Sequence, residues 1–358
     1  MVVNSNRLMT RFRQFGGWRL LAAYLRLGIG GVLLRQTFLM ALGRRSAEEA
    51  YAEIRRAVDE CLQRKYAGLL LERKGYYEEH RQEQSRSKRV WVFWLQGLEQ
   101  APELVKVCVA SMRRHLKDRK VTLLTYDNYK GYAELPHHVV ERYERGEMPA
   151  ALFADLLRLE LLTRHGGTWM DASMWVTGYH EKAKGLFDAD LFMFQALRKG
   201  DSTFYGTSNW FITACAGNRP LMVLRDVLTQ YWRDYDVTLN YYMFHDFFYA
   251  IAQMYPEEMA AMPRRNRQLP LMLLQRLGDD YDEAWMKELL SRCCFHKLNY
   301  RVPEKTLSNE GNFYHAVMRS EKTPSDSPCL GGRDPLRLPL FRGREEVRVK
   351  RPPPTPPV

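Results

Sequence analysis

The sequence lacks several features that mark common classes of protein. Its six cysteines include no Cys-x-x-Cys pair, and Cys293 and Cys294 are adjacent, which does not suit a chelating metal pair. Neither Gly-x-Gly-x-x-Gly nor Gly-x-x-x-x-Gly-Lys-Ser/Thr is present, so the usual dinucleotide and P-loop fingerprints are missing. No uncharged hydrophobic run approaches the ~20 residues of a spanning helix, and no clean export signal is found. Together these absences favour a cytoplasmic protein with reduced structural thiols.

Length and composition indicate a globular chain. Its 358 residues predict two domains or one large domain with additions. Hydrophobic residues make up 46% and charged residues 27%, which excludes disorder as a description of the whole chain. The 23 glycines and 17 prolines are too few for a collagen-like or mucin-like protein.

The unusual property is a net charge of +12, and it lies at the two ends. Residues 1–45 contain eight arginines and no acidic residue, residues 335–358 carry four net positive charges, and 46–334 are neutral. A fold that grips nucleic acid would spread positive charge over its body. The distribution therefore predicts an anionic partner at the termini and no nucleic-acid partner.

The basic segment 1–45 has an amphipathic pattern. Arg19 and Arg26 are two helical turns apart and share one face, Trp18 and several leucines supply an apolar face, and glycines from Gly28 onwards interrupt the helix. This pattern is typical of a segment lying on an anionic bilayer, which predicts peripheral attachment to the inner face of the cell membrane. The alternative is a helix that packs on the main domain.

The rest of the chain divides into three parts. Residues 46–88 are mixed in charge and predict a helical connector that starts near Ser46. Residues 89–330 form the main domain. Residues 335–358 contain seven of the 17 prolines and predict a basic, disordered Pro-rich tail.

The main domain alternates strand and helix patterns. Strands are predicted at 90–95, 120–125, 168–170, 190–195 and 209–214, and helices at 102–115, 136–145, 149–164, 220–235, 241–255 and 282–292. Alternation of this kind predicts an α/β fold with an open, mostly parallel sheet flanked by helices. Ligands of such sheets bind at the carboxyl ends of the strands, where Asp171 is expected.

Residues 154–173 combine a polar pair, a tight turn and a carboxylate. Asp155 and Arg158 lie three apart on an otherwise apolar helix, so they share one face and need partners if buried. Gly166 and Gly167 allow a tight turn or the close approach of a ligand. The following strand delivers Asp171 to the sheet edge, where a carboxylate suits a divalent metal or a ribose hydroxyl. The alternative is a simple ion pair followed by a glycine helix cap.

At these residues the sequence resembles the sugar-nucleotide-dependent glycosyltransferases with the GT-A fold, in particular the bacterial capsular polysaccharide synthesis proteins. Their pattern is Ser-Asp-x-x-Arg on a helix followed by Gly-Gly-x-Tyr-x-Asp-x-Asp, which here reads Ala154-Asp155-x-x-Arg158 and Gly166-Gly167-x-Trp169-x-Asp171-x-Ser173. The similar blocks, in order, are 90–97, 102–111, 154–173, 208–212 and 295–298. The resemblance implies a GT-A-like domain that moves a sugar from a nucleotide-diphosphate donor to a polysaccharide or lipid-linked saccharide, with retention of configuration.

The resemblance also implies roles for individual residues. Asp155, Arg158 and Asp171 would be catalytic and would contact the donor's sugar, ribose or diphosphate. Trp94 would stack on the base, although a core aromatic is the alternative. Further donor-binding residues would be Gln96, Gly167, Asn209, His245, His296 and Lys297. For these, the alternatives are a core position for His245 and a surface pair for His296 and Lys297.

A divalent cation, Mn²⁺ or Mg²⁺, would accompany the donor in the resembled enzymes. Asp171 takes the first position of their Asp-x-Asp motif, but Ser173 stands at the second, where the wider pattern has a carboxylate. A hydroxyl is the weaker ligand for either ion, although donor phosphates and water also supply oxygens. The predicted metal ligands are therefore Asp171 and Ser173.

Two other functions fit the sequence. The first is a sugar-phosphate transferase, whose product would keep the donor's β-phosphate. The second is a non-catalytic, membrane-bound partner in capsule assembly, in which Ser173 marks a degraded site.

Overall fold

A computed structural model describes residues 17–179, 181–196 and 206–320. The predicted tail at 335–358, the end of the predicted main domain and the first sixteen residues lie outside this part. Its helices are α1 (Gly17–Arg26), α2 (Gly30–Ala41), α3 (Ala47–Glu79), α4 (Glu103–His115), α5 (His137–Glu144), α6 (Ala150–His165), α7 (Glu181–Phe187), α8 (Arg219–Asp234), α9 (Met243–Met254), α10 (Pro256–Ala261), α11 (Gln268–Arg276), α12 (Glu283–Arg292), α13 (Glu304–Ser308) and α14 (Phe313–Ser320). Its strands are β1 (Arg89–Phe93), β2 (Lys120–Leu124), β3 (Gly167–Met170), β4 (Met174–Val176), β5 (Leu191–Gln195), β6 (Thr207–Ala214) and β7 (Phe295–Lys297).

The central sheet has the strand order β2-β1-β3-β6-β5. Strand β1 pairs in parallel with β2 and β3, whereas β6 runs antiparallel to both β3 and β5. Among the strands of this sheet in the described residues, β6 alone runs against the others, which confirms the predicted open, mostly parallel α/β sheet. Strands β4 and β7 form a second, antiparallel pair that the strand pattern did not predict.

Glycines control the turn between α6 and β3. Gly166 ends α6 with φ +65°, and Gly167 begins β3 with φ +99°. A Cβ at Gly167 would lie 2.4 Å from the carbonyl oxygen of Arg89 on β1. The pair therefore turns the chain sharply and allows β3 to lie directly against β1.

The boundaries of the N-terminal helices follow local chemistry. Gly28, with φ +86°, separates α1 from α2, as the glycine pattern predicts. Ser46 opens α3 with a capping box, in which its hydroxyl accepts from the Glu49 amide at 3.2 Å and the Glu49 carboxylate accepts from the Ser46 amide at 2.8 Å. Residues 47–79 are thus one continuous helix.

Helix α3 packs against α8 and α9 and shares their hydrophobic core. The Tyr66 hydroxyl donates to Asp234 at 2.8 Å, and the Tyr77 hydroxyl donates to Asp226 at 2.7 Å. Nearer its start, Asp59 accepts a hydrogen bond from the Asn240 side chain in the loop before α9. The helix is therefore fixed to the main body along most of its length.

Helices α1 and α2 combine contacts to the main body with exposed apolar side chains. Arg19 forms a 3.0 Å ion pair with Glu147, and Arg26 lies 5.3 Å from the ring centroid of Tyr235. Large apolar side chains are exposed on both helices and just after α2, namely Trp18, Leu25, Leu34, Phe38 and Leu42. Both arginines of the predicted basic face therefore contact the main body. Within the described residues, no helix is both long and apolar enough to cross a membrane.

Candidate active site

Four elements deliver polar side chains to the edge where β1, β2 and β3 end. Helix α6 presents Asp155 and Arg158 one turn apart, as their spacing predicts. Asp171 follows the last residue of β3, and its amide donates to the Trp210 carbonyl of β6 at 2.9 Å. Asn209 lies near the start of β6, and Lys297 ends β7.

These side chains form one network of carboxylates and cations. Arg158 donates to Asp155 at 2.5 Å, and its second terminal nitrogen lies 3.6 Å from Asp171. The Asn209 amide donates to the same Asp155 oxygen at 2.9 Å. Lys297 Nζ lies 3.2 Å from the other oxygen of Asp171. Two negative and two positive side chains thus meet within hydrogen-bonding or ion-pairing distance.

The pKa values of the two carboxylates shift in opposite directions. Burial raises the pKa of Asp155 from 3.8 to about 6, although Arg158 and Asn209 partly oppose this effect. Burial would also raise the pKa of Asp171, but Lys297 and Arg158 outweigh it and lower that pKa below its ordinary value. Asp171 is therefore fully ionised at neutral pH, whereas Asp155 keeps its charge at an electrostatic cost.

Trp169 supports the network from β3. Its indole nitrogen donates to Asp171 at 3.0 Å, and the guanidinium of Arg158 lies 4.8 Å from its ring centroid. The aromatic ring thus fixes both a carboxylate and a cation, since a guanidinium is attracted to an aromatic face.

A pocket of about 220 Å³ opens on this network. It is lined by Ala151, Asp155, Arg158, Asp171, Asn209, Tyr241, Tyr242, Phe244 and His245. The Nδ1 atom of His245 is buried and has no hydrogen-bond partner among the described residues. Burial and the nearby Arg158 and Arg267 lower the pKa of His245 to about 4, so its ring is neutral at pH 7.

Most of the sequence matches one known protein family. A family model described as capsular polysaccharide synthesis protein matches residues 40–317. The chain belongs to this family. The match includes helix α3 and every residue of the network described above. No curated protein matches the sequence significantly.

The chain has distant similarity to solved structures. The chain is similar to a structure entitled PaToxG Glycosyltransferase, at 12% identity and a TM-score of 0.34. The similarity covers 57% of this chain and 83% of that one. A likeness at this level does not define the function of the chain.

The structure brings Asp155, Arg158, Asp171, Asn209 and His245 of this family member to one pocket. Lys297 does not line the pocket but pairs with Asp171 at 3.2 Å. The structure does not bring the residues after β1 to the pocket. Trp94 packs edge-on against Tyr300, with ring centroids 5.0 Å apart, and Gln96 is exposed. Neither residue lines the pocket.

Gly167 and His296 also lie away from the pocket. Gly167 is at the opposite end of β3 from Asp171, and its backbone conformation is explained by the close approach of Arg89. His296 is fully buried, packs on Trp175 at 5.3 Å between ring centroids, and has Nε2 3.2 Å from the Thr177 hydroxyl. Successive residues of a strand face opposite sides, so Lys297 reaches Asp171 and His296 does not.

The predicted metal ligands do not fit a divalent ion held between them. Lys297 Nζ lies 2.6 Å from Ser173 Oγ and 3.2 Å from Asp171 Oδ2, so its ammonium group already bridges both side chains. The other Asp171 oxygen accepts from Trp169 and faces Arg158. Within the described ranges, no cluster of three or more acidic, histidine or cysteine side chains could hold a metal.

Sequence reasoning missed the aromatic wall of the pocket. Tyr241, Tyr242 and Phe244 line it, and the two tyrosines are 49% and 36% exposed. They belong to an aromatic-rich stretch whose pattern predicts core. The signal that could have identified them is their position just before α9, where a loop leaves side chains open to solvent.

Proposed function

We propose that the protein is a glycosyltransferase of polysaccharide synthesis. It would move a sugar from a nucleotide-diphosphate donor to a hydroxyl of a polysaccharide or lipid-linked saccharide, with retention of the anomeric configuration. The observation that carries this proposal is the convergence of Arg158 and Lys297 with two carboxylates at the carboxyl edge of the sheet, in a member of the capsular polysaccharide synthesis family.

The reaction mainly requires that the negative charge developing on the leaving diphosphate be stabilised. The bond between the anomeric carbon and the diphosphate oxygen breaks, and its electron pair stays on the diphosphate. The acceptor oxygen forms the new bond to that carbon, and its proton passes to the departing diphosphate. Cations fixed beside the diphosphate stabilise the growing negative charge, which is the contribution of Arg158 and Lys297.

The remaining polar groups would position the donor. Asp155 and Asn209 line the pocket and can bind sugar or ribose hydroxyls, while Asp171 holds both cations in place. His245 offers a ring nitrogen that has no partner among the described residues, and its ring stays neutral at pH 7. Such positioning supplies much of the rate in reactions that need little covalent chemistry from the protein.

The test is a screen of nucleotide sugars for release of the nucleoside diphosphate. Asp171→Ala should abolish release and transfer because both cations lose their shared partner. The matched control is Asp279→Ala, since Asp279 is exposed and pairs with Arg276 at 3.2 Å. Turnover equal to wild type in Asp171→Ala would refute the site. Proton NMR of the product distinguishes retention from inversion.

We also propose that α1 and α2 attach the protein to an anionic membrane surface. Leu34, Phe38 and Leu42 follow one another at four-residue intervals, so they form an exposed apolar stripe along α2 and its C-terminal cap. Arg35 and Arg44 are exposed close to it. An apolar stripe flanked by cations suits the headgroup region of an anionic bilayer.

Vesicle co-sedimentation tests this attachment. Leu34→Glu combined with Phe38→Glu should weaken binding to phosphatidylglycerol vesicles at least tenfold, since each apolar side chain contributes about 2 kcal/mol when buried. Leu71→Glu is the matched control, because Leu71 is also exposed but lies on α3. Equal binding of all three proteins would contradict the proposal.

A further inference from the structure

The ammonium group of Lys297 occupies the centre of the Asp171–Ser173 motif. Its three hydrogens are matched by three oxygens: Ser173 Oγ at 2.6 Å, Asp171 Oδ2 at 3.2 Å and the Leu298 carbonyl at 3.4 Å. An ammonium group has three donors and no acceptor, so all three point at protein oxygens, and the Leu298 carbonyl is the most distant of them. The side chain is only 19% exposed.

The position of Lys297 is fixed by strand pairing. Strand β7 lies antiparallel to β4, with Lys297 opposite Met174, the residue after Ser173. The amide of Leu298 donates to the Ser173 carbonyl at 3.0 Å, which extends the pairing past the lysine. Backbone hydrogen bonds on both strands therefore hold the lysine beside the motif.

Local charge argues against a divalent ion at the same place. Two carboxylates and two cations already balance one another around Asp171. An added divalent ion would have to displace Lys297 from both of its side-chain partners and would lie near Arg158 as well. Ser173 offers only a neutral hydroxyl in return, which is a weak ligand for Mg²⁺ or Mn²⁺.

We propose that Lys297 supplies the positive charge that a divalent cation would otherwise supply, so that sugar transfer proceeds without a metal. This inference rests on the proposed glycosyltransferase function. A diphosphate oxygen takes the place of the Leu298 carbonyl, the most distant partner of Lys297, and Lys297 and Arg158 stabilise the negative charge that grows on the leaving oxygens. Asp171 and Ser173 hold the ammonium group in position and do not ligate an ion.

Binding of inorganic pyrophosphate tests the lysine as a diphosphate site. By calorimetry in the presence of EDTA, wild type should bind pyrophosphate, Lys297→Met should bind at least tenfold more weakly, and Lys297→Arg should keep most of the affinity. Lys74→Met is the matched control, because Lys74 pairs with Glu78 on α3 and is not among the residues that line the pocket. Unchanged affinity in a Lys297→Met protein with wild-type circular dichroism would overturn the proposal.

Binding of Mn²⁺ alone tests the absence of a metal site. Electron paramagnetic resonance should show no protein-bound Mn²⁺ for wild type, whereas Lys297→Glu, which places a second carboxylate beside Asp171, should bind Mn²⁺ and be stabilised by it. Mn²⁺ bound by wild type and lost in Asp171→Asn would overturn the proposal.

Turnover separates this inference from the proposed function. With an active donor, the rate should be unchanged by EDTA. Activity that disappears in EDTA and returns with Mn²⁺ overturns the role of Lys297 and leaves the glycosyltransferase assignment intact. A wild type that turns over no donor counts against the proposed function, while the pyrophosphate and Mn²⁺ measurements still decide the role of Lys297.

Discussion

Replacing Asp155 by asparagine should change how the stability of the protein depends on pH. Asp155 is almost completely buried, and it accepts hydrogen bonds from Arg158 and Asn209. Asparagine has nearly the same shape but carries no charge. The variant therefore removes one titrating group without creating a cavity.

The size of the effect follows from the pKa of Asp155, which burial raises from 3.8 to about 6. Between these values the folded protein binds more protons than the unfolded chain, so the contribution of Asp155 to stability falls as pH rises. The gap corresponds to about 3 kcal/mol, since each pKa unit is worth about 1.4 kcal/mol. The stabilising contribution of protonation is complete below about pH 4 and lost above about pH 6.

Urea unfolding of both proteins at pH 4, 5, 6 and 7 measures this effect. The free energy of unfolding of Asp155→Asn minus that of wild type should rise by about 3 kcal/mol across the range. Other titrating groups, such as Asp59, contribute to both proteins and largely cancel in the difference. Asp279→Asn, which removes a carboxylate at an exposed site outside the pocket, is the matched control. A pH-independent difference for Asp155→Asn would refute the reasoning.

Three further predictions concern the fold and the pocket. Gly167→Ala should lower the free energy of unfolding in urea by more than about 2 kcal/mol, because its Cβ would lie 2.4 Å from the Arg89 carbonyl oxygen at a positive φ. The control Gly68→Ala within α3 should raise that free energy by ~0.5–1 kcal/mol, and equal effects of the two changes would contradict this account of the turn. The imidazole NMR signals of His245 should titrate only below about pH 5, since its pKa is lowered to about 4, and a midpoint near 6.5 would contradict its burial. Tyr77→Phe should cost about 2 kcal/mol by removing a 2.7 Å hydrogen bond to a carboxylate, and an unchanged unfolding midpoint would show that α3 does not depend on it.

The central sheet was predictable because its strands carry strong local signals. Val90, Trp91 and Val92 form a compact β-prone run and are completely buried, and the predicted strand coincides with β1 to within two residues. Strands β4 and β7 have only three residues each, which is too short to show any period. Their pairing depends on contacts between residues more than a hundred positions apart.

The site was predictable only in part, because some of it also depends on contacts between residues far apart in the sequence. The spacing of Asp155 and Arg158 places them on one helix face, and the structure shows that face. The choice between His296 and Lys297 required the strand β7, because its alternation decides which side chain faces Asp171. Tyr241 and Tyr242 were missed because their exposure depends on the tertiary position of the loop before α9.

The contact between α3 and the pocket wall has a consequence for which acceptors the protein can use. The guanidinium of Arg55 lies 4.6 Å from the ring centroid of Tyr242, and Arg55 is nine residues beyond the α3 cap at Ser46. At ~1.5 Å per residue, the Arg55 contact with the pocket wall is therefore no more than about 14 Å along α3 from the start of that helix, which residues 42–46 join to α2. With α1 and α2 on a bilayer, as proposed, only sugars close to the lipid would reach the pocket. We expect short lipid-linked acceptors to react faster than long ones, and rates that rise with acceptor length would contradict this arrangement.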